Sequence, residues 1–455
     1  MVTLGLLSVR AVALGVAHSM ATLIVTSYAV WLAHGGEVWL PTISHTWEDA
    51  PMSYVSRWTI GMLTLPFALT NVAGYYNSQR GNADAILAAL AVGGVFCFSW
   101  VGAICDDTLP ACRGNNAIHS AFAITFFMLY DIYMFGVAFF RPIGRRASAQ
   151  LKLCAVASAA SKIRWLPIFS TPFFLAAFPW LPVLEWGNVA VVIAWTELST
   201  RGCALDYAAL DVAPEARGGP TAAPLSSFVT TAAAGAVALA TCFGTLIATL
   251  AAGVATQTLP PQAVPFISDL WVYQPGDWFA RWGVVHGAQV AILGQVLVAA
   301  RCDPTGALPQ GLAVVALVAL SVVGVVDEVE DPTVHFAAAF VWFAGYDAFL
   351  LATARYHRHR AAVLLIFCAT LVVQCMRFAP RRAYAIALRL DGIGAVSEDL
   401  RLDSFLAVLE WADCLLILAG YGFLVFTDAF RNTTGVAIVA GQAAEAKQAS
   451  CAGGA

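Results

Sequence analysis

Residues 41–58 read PTISHTWEDAPMSYVSRW, and residues 265–282 read PFISDLWVYQPGDWFARW. The two stretches align without a gap and are identical at seven of eighteen positions, whereas average residue usage gives about one identity by chance. The identical pairs are Pro41/Pro265, Ile43/Ile267, Ser44/Ser268, Trp47/Trp271, Pro51/Pro275, Arg57/Arg281 and Trp58/Trp282. This similarity indicates an internal duplication, which decides how the rest of the chain is divided.

Two further matches occur in the same order, so the duplication extends over most of the chain. They are His119 with Tyr130 and Asp131 against His335 with Tyr346 and Asp347, at the same internal spacing, and Leu184-Glu185-Trp186 against Leu409-Glu410-Trp411. We therefore predict a first unit at residues 1–205, a linker at 206–225, a second unit at 226–430 and a disordered tail at 431–455.

The composition indicates a chain that lies in a lipid bilayer. Of its 455 residues, 60% are hydrophobic and 11% are charged, and the mean hydropathy is +0.75. These values exclude an ordinary soluble enzyme, a disordered chain and a nucleic-acid-binding protein. Twelve stretches approach the roughly 20 apolar residues that a transmembrane helix needs. They are residues 9–33, 58–77, 84–104, 118–140, 147–163, 182–200, 227–255, 282–300, 308–326, 333–353, 361–377 and 403–427.

These stretches predict an all-α polytopic membrane protein with about twelve transmembrane helices, six in each duplicated unit. Because six is an even number, both units insert in the same orientation, and the repeats are parallel. The loops alternate between a basic set, predicted to be cytoplasmic, and an acidic set, predicted to be lumenal or exterior. The arginine-rich stretch 377–401 departs from this alternation. An even number of spans places both termini on the same side of the membrane, which the basic loops predict to be the cytoplasm.

One pair of cysteines could form a disulfide, and the cysteine pattern predicts no cofactor. Cys105 and Cys112 bracket an acidic loop on the predicted lumenal side, where oxidation is permitted. A loop disulfide and two free thiols are equally good interpretations. The spacing of the eleven cysteines indicates no metal or redox site.

The repeated polar residues are predicted to meet at one membrane face. In each unit the Pro-Ile-Ser loop lies between the first two helices, on the lumenal side. His119 and Glu185 then begin the fourth and sixth helices from that same side. The second unit repeats the arrangement, and its polar residues are Asp269, Arg281, His335 and Glu410.

These side chains have both structural and functional interpretations. The histidines could hydrogen-bond a loop carbonyl or transfer protons. Glu185 and Glu410 could pair with Arg57 and Arg281 as a structural clamp, which we favour slightly, or could act as bases.

Asp131 and Asp347 lie deeper in the predicted helices, twelve residues after each histidine, or about 18 Å along the axis. Ionisable groups at such depth are functional candidates, but a hydrogen bond that packs two helices, or an arginine partner, is an equally good interpretation.

Tryptophans and prolines mark the same face. The tryptophans are typical interface anchors, and a platform for a sugar or a lipid headgroup is the alternative; they are Trp47, Trp58, Trp186, Trp271, Trp282 and Trp411. The prolines are predicted to hold a tightly folded loop, because proline restricts φ and lacks an N–H donor.

The string Pro-x-Ile-Ser-Asp with a second proline downstream, the histidine at a helix start and the Glu-Trp pair at the sixth helix together resemble the Frag/DRAM/Sfk family. That family includes the post-attachment remodelling protein of GPI anchors, the N-terminal domain of the yeast-type ceramide remodelase and the damage-regulated autophagy modulators. The residues that match in the first unit are Pro41, Ile43, Ser44, Pro51, His119, Glu185 and Trp186. Those in the second are Pro265, Ile267, Ser268, Asp269, Pro275, His335, Glu410 and Trp411.

The two units depart from the family pattern to different extents. His45 replaces the aspartate of the loop motif in the first unit, and Met52 and Gly276 stand where an acidic residue usually follows the second proline. We therefore expect any chemistry in the second unit, at His335, Glu410 and Asp269. The first unit, with His119 and Glu185, would be a structural partner.

The resemblance implies work on lumenal-leaflet lipids in the endoplasmic reticulum or Golgi, with the lysosome or plasma membrane as other locations. The work would be exchange of fatty acyl or ceramide tails on GPI-anchored substrates, or assistance to enzymes that do so. A His-Glu pair could deprotonate a lyso-lipid hydroxyl for acyl transfer; no nucleophile is assigned. Two other classes stay open: a non-enzymatic membrane organiser, as in the autophagy modulators, and a secondary transporter built from two parallel halves.

Overall fold

The structure is a computed structural model. It describes residues 2–36, 40–77, 81–104, 115–140, 148–162, 181–201, 203, 205–211, 229–259, 264–302, 307–378, 398–429 and 434–440.

Twelve α-helices lie in the described residues, and each coincides with one of the twelve predicted apolar stretches. They are α1 (Val9–Ala33), α2 (Met52–Tyr76), α3 (Asn82–Ala103), α4 (Asn116–Phe135), α5 (Ser148–Ser161), α6 (Leu181–Ser199), α7 (Thr231–Thr256), α8 (Gly276–Cys302), α9 (Ala307–Val325), α10 (Pro332–Ala354), α11 (Arg360–Phe378) and α12 (Glu398–Ala429). The prediction of a helical protein is confirmed.

Within the described parts of the chain, nine helices are long and apolar enough to cross a membrane. They are α1, α3, α4 with its π-helical extension Gly136–Phe140, and α7 to α12. Helix α5 has only 14 residues. Helices α2 and α6 contain more polar side chains, among them Arg57, Asn71, Glu185 and Asn188. The chain is therefore a multi-pass helical membrane protein with about nine spans, and the side of each terminus stays a prediction.

Four short strands accompany the helices: β1 (Val2–Ser8), β2 (Leu205–Asp211), β3 (Val229–Thr230) and β4 (Thr434–Ala440). Strand β2 overlaps the predicted linker, and β4 lies in the predicted disordered tail. Strands β3 and β4 pair antiparallel, with Val229 opposite Val436. Residues 434–440 of the predicted tail form strand β4, and their sequence, TGVAIVA, is rich in the β-branched residues that favour strands.

The chain divides into two compact units, of which the N-terminal unit is mostly Gly5–Ala208. Each of its helices packs against the next, and α6 packs against α1, so the six helices close into a ring. Its core is aromatic. The ring of Phe67 on α2 lies 5.3 Å from that of Tyr130 on α4, and both side chains are fully buried. Close packing of this kind is the main attraction between helices in lipid, where apolar burial gives little driving force.

The C-terminal unit, mostly Val229–Val436, closes in the same manner from α7 to α12. Small residues dominate the contact between α9 and α10: a Cβ placed on Gly345 would lie 3.2 Å from the Cβ of Ala316. Helix α10 starts at a well-formed cap, because the Asp331 carboxylate accepts from the Val334 N–H at 3.1 Å and Pro332 follows it.

Close approach of α3 and α4 gives the first prediction. A Cβ on Gly94 would lie 3.2 Å from the Phe126 carbonyl oxygen, so Gly94→Leu must push the two helices apart. We expect this change to lower stability by about 1 to 3 kcal/mol, measured as a fall in the thermal unfolding temperature in detergent. Gly15→Leu is the control, because nothing lies within 4 Å of a Cβ at that exposed position. Equal unfolding temperatures for the two variants would contradict the packing.

Candidate functional site

The Pro-Ile-Ser loop of the N-terminal unit is held from two sides. Ser44–Trp47 form a short 3-10 helix. The Trp186 Nε1–H, at the start of α6, donates to the Pro41 carbonyl at 2.8 Å. The Trp47 Nε1–H donates to the Ser27 hydroxyl of α1 at 2.9 Å. These indoles therefore attach the loop to the helices, which is a more specific role than the predicted interface anchor.

Ser44 and His119 meet at this loop. The Ser44 Oγ lies 3.1 Å from the His119 Nε2, and the His119 Nδ1 lies 2.8 Å from the carbonyl oxygen of Ile104 at the end of α3. Because a carbonyl oxygen can only accept, Nδ1 donates to it, and in the tautomer with this single N–H the Nε2 can accept from the Ser44 hydroxyl. His119 is buried and Ser44 is half-buried. In this arrangement the His119 Nε2 can accept a proton from the Ser44 hydroxyl.

The loop of the C-terminal unit has the same local structure, with Ser268–Trp271 in a 3-10 helix. The Trp411 Nε1–H donates to the Pro265 carbonyl at 2.9 Å. The Glu410 carboxylate, next to it on α12, accepts from the Ile267 N–H at 3.2 Å. The predicted meeting of the loop motif with the Glu-Trp pair therefore occurs in the described residues of this unit.

Three carboxylates lie on or against the loop that carries Ser268, and the sequence reasoning assigned no role to one of them, Glu328. The Glu328 carboxylate accepts from the Ser268 hydroxyl and contacts Asp269, and Asp269 and Glu328 both act electrostatically on Glu410. Burial raises the pKa of Glu328 above its ordinary value of 4.5, and the charge of Asp269 raises it further. Glu328 lies in the acidic run after α9. It comes two residues after Val326, whose carbonyl binds His335. Only this short spacing could have indicated that Glu328 lies near the site.

His335 has its own partner. Its Nδ1 lies 2.7 Å from the Val326 carbonyl oxygen, as the structural interpretation of the histidines predicts. Of the predicted trio, the structure brings Glu410 and Asp269 to the loop, while His335 contacts the nearby end of α9.

The predicted clamp between Arg281 and Glu410 is not formed. Arg281 is 6% exposed and pairs with Asp277 at 3.2 Å, Glu330 at 3.0 Å and Asp327 at 3.5 Å. The reason is that the loop between α9 and α10 supplies two carboxylates that already neutralise the guanidinium. Arg57 is likewise buried on α2, and Glu185 is half-buried at the start of α6.

Asp131 is part of a polar contact among three helices. Its Oδ1 accepts from the Ser158 hydroxyl at 2.5 Å, and its Oδ2 lies 3.1 Å from the Lys162 Nζ. The Ser158 hydroxyl also lies 2.7 Å from the Asn188 Oδ1 on α6. Lys162 replaces the arginine that one interpretation expected, and the packing interpretation of Asp131 agrees with these contacts.

Asp347 makes a related contact. It accepts from the Thr370 hydroxyl of α11 at 2.6 Å. The Gln374 amide donates to the Asp413 Oδ1 of α12 at 3.4 Å, and the Arg377 Nη1 lies 3.5 Å from the Asp413 Oδ2. The sequence reasoning missed these partners, although hydroxyl and amide residues four apart on α11 could have indicated them.

The remaining predicted site residues fall into three groups. Ile43 and Ile267 are 2% exposed and hold their loops by burial. Trp58, Pro51, Pro275 and Trp282 lie on or beside the described loops and helix starts. Cys105 and Cys112 lie outside the described residues. In the part of the chain that the structure describes, no group of three His, Cys, Asp or Glu residues could hold a metal ion.

A small apolar cavity of about 30 Å³ lies in the N-terminal unit. Its lining comes from α1, α2, α3, α4 and α6 together with Trp47 of the loop, and every lining residue is apolar. It has room for only a few atoms, and it offers no polar partner to a ligand.

Comparisons with protein-family models, with curated proteins and with solved structures found no match. The similarity to the Frag/DRAM/Sfk family therefore rests on the motif residues named above.

The ion cluster of Arg281 gives a second prediction. Arg281→Gln leaves Asp277 and Asp327 buried without a positive partner, which is expected to cost about 3 to 5 kcal/mol of stability. The control is Arg201→Gln, because Arg201 pairs with Glu197 at 2.8 Å in an exposed position, where such a pair contributes about 0 to 1 kcal/mol. Thermal unfolding in detergent measures both. Equal losses in the two variants would contradict the role of the cluster.

The pKa of Glu328 gives a third prediction. A carboxyl whose folded pKa is raised prefers the protonated state when folded, so its contribution to stability is present below about pH 4.5 and is lost as the pH rises through the folded pKa. Glu328→Gln is expected to reduce this loss of stability as the pH rises above about 4.5. The exposed Asp49→Asn is the control. Identical pH profiles for wild type and Glu328→Gln would contradict the prediction.

Proposed function

We propose that the chain is a duplicated membrane protein that handles lipids at the lumenal leaflet, in the remodelling of GPI-anchor tails in the secretory pathway. The observation that carries the proposal is the meeting of the three resemblance motifs at one end of each helical ring. The Glu-Trp pair binds the Pro-Ile-Ser loop in both units, through Trp186 and Pro41 and through Trp411 and Pro265.

Several contacts at corresponding positions support the duplication of one six-helix unit. The histidine at the start of the fourth helix binds a carbonyl at the end of the third, at 2.8 Å in one unit and 2.7 Å in the other. The deep aspartate accepts from a hydroxyl of the fifth helix at 2.5 and 2.6 Å. A buried tyrosine meets an amide of the second helix at 3.4 and 3.2 Å, in the pairs Tyr130/Asn71 and Tyr346/Gln295.

The surroundings of these motifs favour a lipid as the substrate. The polar side chains lie at the ends of apolar helices, where a headgroup can reach them while its tails remain in hydrocarbon. Buried carboxylates beside Ser268 and an imidazole beside Ser44 can exchange protons with a lipid hydroxyl. In the C-terminal unit, His335, Glu410 and Asp269 remain the candidate catalytic residues.

Contacts of the deep aspartates argue against the transporter alternative. Asp131 and Asp347 are each hydrogen-bonded to a neighbouring helix within their own unit. A transport site between two parallel halves would instead require polar groups that a substrate or ion can reach.

The proposal predicts that His335→Ala and Glu410→Ala change the lipid tails of GPI anchors. The experiment uses cells that lack the chain and express each variant, and mass spectrometry of the anchors measures acyl and ceramide composition. We expect unremodelled tails to accumulate to the level of cells without the chain. His18→Ala and Glu197→Ala are the controls, because these side chains lie away from the motifs and are more exposed.

Two other outcomes would reject the catalytic version. Unchanged anchors at normal protein amounts would show that His335 and Glu410 do not participate in tail exchange. A change in trafficking or partner binding, without transferase activity in purified protein, would favour the membrane organiser.

A further inference from the structure

We propose that Ser44 and His119 form a nucleophile and general base that carry a fatty acyl group. The inference rests on the proposed lipid-handling function and assigns the chemistry to the unit that the sequence marks as the poorer candidate. The substrate class is a fatty acyl ester of a membrane lipid.

The hydrogen-bond geometry carries the first step. An activated hydroxyl nucleophile needs a base within about 2.6 to 3.2 Å that is itself oriented by a third group. The Ser44 Oγ lies 3.1 Å from the His119 Nε2, and the Ile104 carbonyl, 2.8 Å from Nδ1, fixes the tautomer that leaves Nε2 free of a proton. The backbone carbonyl here fills the orienting position that a carboxylate fills in serine hydrolases.

The position of Ser44 carries the second step. It begins a 3-10 helix on a loop that is bonded to α6 through Trp186 and to α1 through Trp47. The hydroxyl is half-buried, whereas its histidine is 5% exposed. A substrate can therefore reach the hydroxyl while the base behind it stays protected from water, and the anchored loop keeps the two groups aligned.

The proposed reaction transfers an acyl group from one lipid to a second lipid by way of Ser44. The Ser44 Oγ attacks the acyl carbonyl carbon while its proton moves to the His119 Nε2. The bond from that carbon to the lipid alcohol oxygen then breaks, and the Nε2 proton moves to the departing oxygen. The acyl group remains on Ser44 as an ester. The hydroxyl of a second lipid attacks this ester by the reverse sequence, which restores the Ser44 hydroxyl and leaves the acyl group on the second lipid.

The corresponding serine of the C-terminal unit has a different partner. Ser268 is 7% exposed, and its hydroxyl bonds to the Glu328 carboxylate. One molecule therefore contains two loop serines with different neighbours, and only Ser44 has an imidazole nitrogen as its described partner. The contrast provides an internal comparison for the experiment.

The experiment treats the full-length protein in phosphatidylcholine nanodiscs with a hexadecyl fluorophosphonate, which reacts with activated serine hydroxyls. Mass spectrometry of the digested wild-type protein locates the adduct without the need for a variant. We expect an adduct on Ser44 and none on Ser268. Ser44→Ala is expected to remove the label, and His119→Gln to slow labelling at least about a hundredfold. Ser19→Ala, at an exposed position of α1, is expected to label like the wild type.

Absence of an adduct on Ser44 in the wild type, or equal labelling in His119→Gln, would overturn the assignment of the nucleophile and base.

The result can be separated from the outcome for the proposed function. If Ser44 is inert while cells need the chain to remodel GPI tails, this inference is wrong and the proposed function stands. If Ser44 labels in a His119-dependent manner while loss of the chain leaves GPI tails unchanged, the GPI function is wrong and the acyl chemistry belongs to another lipid ester.

Discussion

One hydrogen bond in each unit joins an indole at the start of the last helix to a proline carbonyl in the loop: Trp186 to Pro41, and Trp411 to Pro265. A loop carbonyl outside a helix needs a donor, because an unsatisfied group beside hydrocarbon costs several kcal/mol. Tryptophan can supply that donor at a membrane face, since its ring is apolar and its one N–H is polar. Once the loop is attached, its 3-10 helix presents a serine to the neighbouring helices. In the N-terminal unit, the serine of this attached loop lies 3.1 Å from the His119 Nε2.

Charged side chains inside the helical rings likewise need partners close by. Asp131 pairs with Lys162, whereas Asp347 accepts a hydrogen bond from the neutral Thr370. A second carboxylate of the C-terminal unit, Asp413, pairs with Arg377. The pattern of charge thus differs between the units, although a hydroxyl reaches the deep aspartate in both. A buried ion without a partner is strongly unfavourable, and Asp131, Asp347 and Asp413 each have an oppositely charged or hydrogen-bonding neighbour. Such closed networks hold helices together and leave little for a transported ion to bind.

The helices could be predicted well because apolar length is a local property of the sequence. The start of α1 at Val9 and its end at Ala33 coincide with the predicted stretch. The meeting of Glu410 with the Pro-Ile-Ser loop followed from the direction of the helices alone. The partners of individual side chains could not be predicted, because they depend on which faces of the helices turn toward one another. Arg281 therefore binds the loop after α9 instead of Glu410, and β4 forms where composition indicated disorder.

Replacement of the loop aspartate by His45 led us to expect a degenerate first unit, but the contacts give a different account of the two serines. The Ser268 hydroxyl bonds to the Glu328 carboxylate, whereas the described partner of the Ser44 hydroxyl is the His119 imidazole. Histidine is the side chain that most often serves as a general base. His45 is exposed and Ser44 faces His119. The two loop serines therefore differ through the partners that other parts of the fold supply, His119 for Ser44 and Glu328 for Ser268.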